Sequence, residues 1–408
     1  MKIGLWQLTP IALLLSSALS YAETLEQVCE LQVDSNQCPS VEYFLNKPFD
    51  AKDEFDKYKL CSEATFDLYK VQKSCEFDKY LAQAQIQFDQ YKSEVSKVWD
   101  SPTFSSKHSW VSYTPSLEMK REVNFEKNVI KVTTIKGETT SIEELKEAII
   151  QTSTLTIGDA QKNDVFTAEL LKSTDVKELS GEPLLPLSND KKEQEIEIKQ
   201  AVAQVTITES TDAKGNKVIE AEIPFLPSWL NRKEKRFFES VTTYANKYDL
   251  EPEFVLSIIK TESAFDPRAT SHIPAFGLMQ IVPSSAGLDA TSFLYGEQQM
   301  LNRDYLFDPA KNIEVGTAYI HLLRSRYFRG IENSENLKYC VTAAYNGGMA
   351  PIYRIFGNGS RKKAIAKINQ LSPKQVYDTI QRKHSAAETR NYLKKVHNTE
   401  LKYEQNMI

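Results

Sequence analysis

The stretch Phe254 to Pro267, FVLSIIKTESAFDP, reads as an apolar helix that stops at Asp-Pro and carries one carboxylate, Glu262, on its inward face. Phe254, Ile258 and Glu262 fall at i, i+4 and i+8, and Val255 and Ile259 share that face. Most inward acids are structural, paired with an arginine or capping backbone. The other reading is chemistry. An apolar wall disfavours the ionised carboxylate and raises its pKa, which keeps it protonated near neutral pH as a general acid must be. Ser271 lies nine residues beyond the acid, and Gly277-Leu278-Met279-Gln280 follows a proline-containing loop. Further on, CVTAAYNGG ends in Tyr345-Asn346-Gly347-Gly348, and ETRNYLKKV places Tyr392 near the C-terminus. Each piece alone has a plain meaning: Asn-Gly-Gly stops a helix, Met279 fills a core, and Tyr392 is one aromatic on an amphipathic helix.

The elements that must hold these residues are helical. Pro224 and Pro227, in IPFLPSW, mark a boundary, and residues 224–408 read as an all-α domain of a size normal for one core. Ser228 is placed to cap a helix through KRFFESVTTYANKY, and Pro252 suits the first turn of the helix bearing Glu262. Further helices are expected at 310–329, 335–346, 361–370, 373–383 and 386–398.

Ahead of the boundary, residues 23–223 read as a mixed α+β domain with no catalytic constellation. Between Pro48 and Pro102 there is neither Gly nor Pro, and Phe55, Phe66, Phe77 and Phe88 each open a Phe-Asp-x-Tyr unit, eleven residues apart. Eleven residues make almost three helical turns, so these aromatics share one face of a long helix spanning about 51–99. Two hairpins are expected. One lies in REVNFEKNVIKVTTI across Glu126-Lys127-Asn128, and the other turns at Lys214-Gly215-Asn216. Between them, Ser141 with Glu144 three residues on forms the pattern of a capping box opening the helix at 141–150.

Residues 1–22 have the form of a secretory signal: Lys2, an apolar run through Leu13-Leu14-Leu15, then Ser20-Tyr21-Ala22 with small residues where a signal peptidase reads. The expected product is a soluble periplasmic protein beginning near Glu23, without a lipid anchor, since no cysteine stands in a lipid-attachment context. Cys29, Cys38, Cys61 and Cys75 are disulfide candidates in an oxidising compartment. On a continuous helix Cys61 and Cys75 lie about 21 Å apart, too far to pair, so each must join Cys29 or Cys38 unless the helix breaks. Cys340, in LKYCVTAAY, reads as a buried free thiol.

The net charge of −5 is uneven: residues 229–408 hold 25 basic and 18 acidic side chains, residues 1–228 hold 25 and 37. A basic second half fits an anionic partner, but no zinc-finger spacing, aromatic RNA-recognition motif or dense basic tract points to nucleic acid. His108, His272, His321, His384 and His397 are scattered without ligand spacing, so no metal and no cofactor is expected.

Together Glu262-Ser263, Gly277 to Gln280, Ala344 to Gly348 and Glu388-Thr389-Arg390-x-Tyr392 resemble the motif series of the lytic murein transglycosylases with a goose-lysozyme-like catalytic domain. Among these the chain most resembles the membrane-bound lytic murein transglycosylase C group. The resemblance is strong over about 229–404 and extends more weakly to SWVSYTPSLEMKREVNFEKNVIKVTTI in the accessory domain. It implies an α+β accessory domain followed by a lysozyme-like helical domain. The substrate it implies is peptidoglycan, cleaved between N-acetylmuramic acid and N-acetylglucosamine without water to leave a 1,6-anhydro sugar. On that resemblance Glu262 is the single general acid and base, Ser271 hydrogen-bonds the substrate near its acetamido group or the acid, Gly277 to Gln280 line the muramic acid subsite, Tyr345 and Asn346 shape the cleft, and Tyr392 orients Glu262. Asp266 caps its turn or is solvated. The chain departs from the family at Ile273, where relatives often carry a second Ser, and at Pro274-Ala275-Phe276.

Two other readings share these residues. A hydrolase on the same fold needs a second carboxylate, with Asp289 or Asp304 as candidates. A non-catalytic wall-binding scaffold would work through its acidic accessory domain, which in any reading is expected to position the protein on the wall or on a protein partner there.

Overall fold

The computed structural model describes residues 82, 85–135, 140–163, 181–271 and 275–406. The expected signal, the four N-terminal cysteines and most of the long helix lie outside the described residues; of that helix, residues 85–98 are described and are helical. The chain divides into two compact units, Met1–Ser93 and Glu94–Ile408. The sheet, the helices named here and the cleft all belong to the second.

The fold class is the expected one, an α+β region followed by an all-α region. Five antiparallel strands, β1 (Ser109–Tyr113), β2 (Met119–Asn124), β3 (Val129–Thr134), β4 (Thr206–Thr211) and β5 (Lys217–Pro224), form one sheet in the order β1-β2-β3-β5-β4. Both hairpins form at the expected turns: Asn124 pairs with Val129, and Thr211 pairs with Lys217 around Gly215 at φ +86°. They are joined edge to edge by β3 and β5, where Ile130 faces Ile223 and Val132 faces Ala221. Strand alternation sends Ile219, Ala221 and Ile223 into the core, while Glu220 and Glu222 meet Lys131 on the other face at 2.8 and 2.6 Å. Helices α1 (Ile142–Ser153), α2 (Ile157–Asn163) and α3 (Lys191–Val202) accompany the sheet, and the apolar faces of α1 and α3 cover its buried side. α1 opens with the expected capping box, Ser141 Oγ accepting from Glu144 N at 3.1 Å and Glu144 accepting from Ser141 N at 3.0 Å.

The sheet core continues past Pro224 through Phe225, Leu226 and Trp229. Ser228 does not cap the next helix: α4 (Pro227–Lys235) has Leu226 at its N-cap and Pro227 in its first turn, and Ser228 Oγ instead donates to Glu197 at 2.7 Å. Glu197 is buried on α3 and also takes Trp229 Nε1 at 3.1 Å and Arg232, which pins α4 to the sheet layer. Lys233, likewise buried, donates to Phe125 O and, at 2.7 Å, to Asn128 Oδ1 in the β2–β3 turn.

The all-α region comprises α5 (Phe238–Lys247), α6 (Pro252–Ser263), α7 (Leu288–Tyr295), α8 (Arg303–Phe307), α9 (Pro309–Leu322), α10 (Ser334–Gly347), α11 (Met349–Gly357), α12 (Arg361–Ile368), α13 (Pro373–Lys383) and α14 (Ala387–Asn406). The chain from Ser228 to Tyr248 breaks into two helices at Arg236–Phe237, and the expected helix at 310–329 leaves α geometry at Leu323 for a single π turn. α7, α8 and α11 are helices that periodicity did not reveal. α6 lies at the centre, buried on nearly every side and packed against α5 and α14. No helix among the described residues is long and apolar enough to cross a membrane.

Candidate active site

α6 sets the acid. Its other buried polar groups are satisfied by the helix itself: Ser257 Oγ donates to Phe254 O at 2.7 Å, Thr261 Oγ1 to Ser257 O at 2.8 Å, and Ser263 Oγ to Ile259 O at 3.0 Å. Glu262, 6% exposed, has no such local partner among the described residues. The helix ends on two successive non-glycine residues in the left-handed region, Ala264 at φ +51° and Phe265 at φ +66°. That conformation costs energy and is kept where packing fixes it; here Phe265 stacks on Phe237, ring centroids 6.2 Å apart. The sharp stop turns Asp266 back into the interior, where its Oδ1 accepts from Arg268 N at 2.8 Å. Asp266 thus caps its turn, but it is buried rather than solvated.

Glu262 opens onto a cleft of about 440 Å³. Of the residues expected at the site, Ser271, Gln280, Tyr345 and Asn346 line it beside the acid. Gly277, Leu278 and Met279 do not. Leu278 and Met279 are fully buried in the core, and Gly277, at φ +75°, sits where an added Cβ would come within 2.2 Å of Leu306 O. This run shapes the wall through its backbone. Fully buried Asn312 on α9 clamps it, accepting from Met279 N at 2.8 Å and donating to Phe276 O at 2.8 Å and Leu306 O at 2.7 Å. Tyr345 then donates its hydroxyl to Met279 O at 2.8 Å. Gln280, at φ +48°, donates Nε2 to Ala269 O at 2.8 Å and Gly277 O at 3.0 Å. Asn346 accepts from Thr389 Oγ1 at 2.7 Å, joining the end of α10 to the start of α14.

Sequence reasoning missed four of the polar liners. Thr270 sits beside Ser271. Glu388 stands in the quoted Glu-Thr-Arg-x-Tyr motif, which was its only signal. Ser106 and Lys107 come from the loop ahead of β1, and nothing local in the sequence marks them. The carboxylates suggested for a second acid lie elsewhere: Asp289 accepts from the Tyr327 hydroxyl at 2.8 Å, and Asp304 pairs with Arg303 at 3.7 Å.

Burial pushes the Glu262 pKa up from 4.5 to about 7; Lys107 and a hydrogen-bonding approach by Tyr392 hold it down, and Glu388 adds to the rise. Tyr392 is buried, and its hydroxyl closes no hydrogen bond of ordinary geometry among the described residues, though it lies within reach of the acid. Burial and the nearby Glu262 charge raise the phenols of Tyr392 and Tyr345 well above the usual range. Asp266 is also lifted by burial to about 7, but among Arg268, Arg236 and Lys233 and away from the cleft. Position separates the two acids: one faces a ligand-sized space and the other faces cations. Cys340 is a free, fully buried thiol, its pKa raised by burial. Among the described residues no group of three His, Cys, Asp or Glu could hold a metal.

Two family profiles match, the transglycosylase SLT domain over residues 239–368 and the membrane-bound lytic murein transglycosylase C N-terminal domain over 77–206. The membrane-bound lytic murein transglycosylase C of Pectobacterium atrosepticum is 34% identical over 303 residues, covering 72% of this chain and 82% of the relative. The protein of that name from Sodalis glossinidius is 35% identical over 302 residues, with the same coverage. The chain belongs to the membrane-bound lytic murein transglycosylase C family. Its helical region is therefore the lysozyme-like SLT domain of that family, and strands β1 to β3 with helices α1 to α3 lie within the N-terminal domain match. The 70 kDa soluble lytic transglycosylase of Escherichia coli is a more distant likeness, 21% identical over 44% of this chain and 26% of that one, with a TM-score of 0.32.

Proposed function

We propose that this protein is a peptidoglycan lytic transglycosylase in which Glu262 serves alone as acid and base. Family membership supports the activity, and one observation carries the role of Glu262: among the described residues it is the carboxylate that joins burial, a pKa near 7 and an opening onto the cleft. In the proposed reaction protonated Glu262 gives its proton to the glycosidic oxygen as the bond from C1 of N-acetylmuramic acid breaks. The resulting carboxylate takes the proton of the same sugar's C6 hydroxyl, whose oxygen closes on C1. The proton Glu262 loses is thus regained, and water is not consumed.

The positions of the other groups support a division of labour. Ser271 and Gln280 flank the cleft as hydrogen-bonding groups for the muramic acid, Gly277 to Met279 hold that wall in shape, Tyr345 and Asn346 brace its far side, and Tyr392 steadies the Glu262 carboxyl. Residues 1–22 support export and release into the periplasm, whereas the curated relatives carry the name membrane-bound. Cell fractionation tests this, with recovery in the soluble periplasmic fraction expected and retention on membranes contradicting it.

Glu388 motivates a second reading. It is an exposed carboxylate on the same cleft, and a hydrolase needs one to hold water. Mass spectrometry of the soluble products from purified sacculi separates the two. Anhydro-ended fragments from the wild type and none from Glu262→Gln support the transglycosylase; reducing ends, one water heavier, overturn it.

A further inference from the structure

The accessory region puts a lysine into the active-site cleft. Ser106 N donates to Ser109 O at 2.8 Å, Ser106 Oγ lies 2.9 Å from Ser109 Oγ, and His108 N donates to Ser106 Oγ at 3.2 Å, so Lys107 is carried on a closed turn. The turn is tied to the sheet by Phe125 N donating to His108 O at 2.9 Å, and to α6 by His108 Nε2, 3.3 Å from Thr261 O, one residue before the acid. Glu126 holds the other side, 3.4 Å from His108 Nδ1 and 3.9 Å from Lys395 on α14. Lys107 is half-buried, lines the cleft with Glu262, and makes no hydrogen bond or ion pair among the described residues. A lysine on a braced turn, whose ammonium acts on Glu262 through space without closing a hydrogen bond, keeps its donors free for an anion in the cleft.

The chemistry of the substrate names that anion. With its lactyl group amidated by the stem peptide, the glycan strand carries no charge, and the fixed negative charges of peptidoglycan are the carboxylates of the peptides. We propose that Lys107 is a positioning and specificity residue that takes a stem-peptide carboxylate, so the accessory region reads the peptide while α6 cuts the glycan. This rests on the transglycosylase reading. It also gives the accessory region a role inside the site, where sequence alone suggested positioning on the wall or on a protein partner.

The test compares soluble glycan strands bearing free stem peptides with the same strands after their peptide carboxylates are converted to amides by ammonia and a carbodiimide. On free-acid strands, assayed below the Glu262 pKa of about 7 so that the acid is protonated in both proteins, Lys107→Met raises KM about fivefold to tenfold, the size of one partly solvated charge-assisted contact, while kcat changes little. On amidated strands wild type and Lys107→Met have the same KM, and Lys107→Arg restores most of the preference for the free acid. An equal loss on both substrates assigns Lys107 to the electrostatics of Glu262 and overturns the proposal, as does no loss on either. If the wild type released no anhydro products from either substrate, the underlying reading would fail, and that result is distinct from a failure of the Lys107 role.

Discussion

Glu262→Gln is expected to make the protein more stable at neutral pH while removing its activity. The carboxyl titrates at 4.5 in water and at about 7 in the fold because burial penalises its charged form. Below about pH 4.5 both the folded and unfolded chains hold the proton, and the acid costs nothing. Between the two values the unfolded chain ionises first, so stability falls as pH rises; above about 7 the full penalty is present. A shift of about 2.5 units at 1.36 kcal/mol each gives roughly 3 kcal/mol. Gln keeps the shape of the protonated acid and never ionises, so it removes the penalty. Urea unfolding at pH 8 checks this, with the variant expected to be about 3 kcal/mol more stable there and equal to wild type at pH 4. Equal stability at pH 8, or a less stable variant, refutes a desolvated Glu262 and with it the general acid.

Tyr392→Phe removes a group that lowers the Glu262 pKa. Its pH–rate profile, whose alkaline limb falls above about pH 7 in the wild type because the acid must begin protonated, should move to higher pH with a reduced kcat; a limb that stays or moves down contradicts the contact. Glu388→Gln should change kcat less than about tenfold and leave anhydro products, whereas a base that holds water is worth about 10²–10⁴-fold, so a larger fall favours the hydrolase. Gly277→Ala forces a Cβ to within 2.2 Å of Leu306 O and 2.4 Å of Asn312 Nδ2 at φ +75°. A loss of about 3 kcal/mol or more by urea unfolding is expected, and a neutral result would show that the Asn312 clamp can shift.

What could be read in the chain was what short range decides. Glu262 announced itself by sharing a face with Phe254 and Ile258, and both hairpins followed from alternation and from the Glu126–Asn128 and Lys214–Asn216 turns. Ser228 misled because a serine near a proline looks like a cap, while its real partner is Glu197, 31 residues away. α11 escaped notice because it starts directly after the Gly347–Gly348 stop, with Gly348 as its N-cap. The family resemblance drew attention to Gly277, Leu278 and Met279, but only packing against Leu306, Asn312 and Gly316 shows that they support the wall from behind. Ser106 and Lys107 were out of reach, because their presence in the cleft depends on how the sheet layer seats against α6, through contacts such as His108 to Thr261 across 153 residues.

The most direct test of a single-acid, water-free cleavage is digestion of purified sacculi in water enriched in heavy oxygen, with the released ends read by mass spectrometry. If Glu262 works alone and the C6 hydroxyl closes on C1, the muramic acid ends carry no label and are one water lighter than reducing ends. Label at C1 of those ends would mean that water attacks, and the central claim would be wrong.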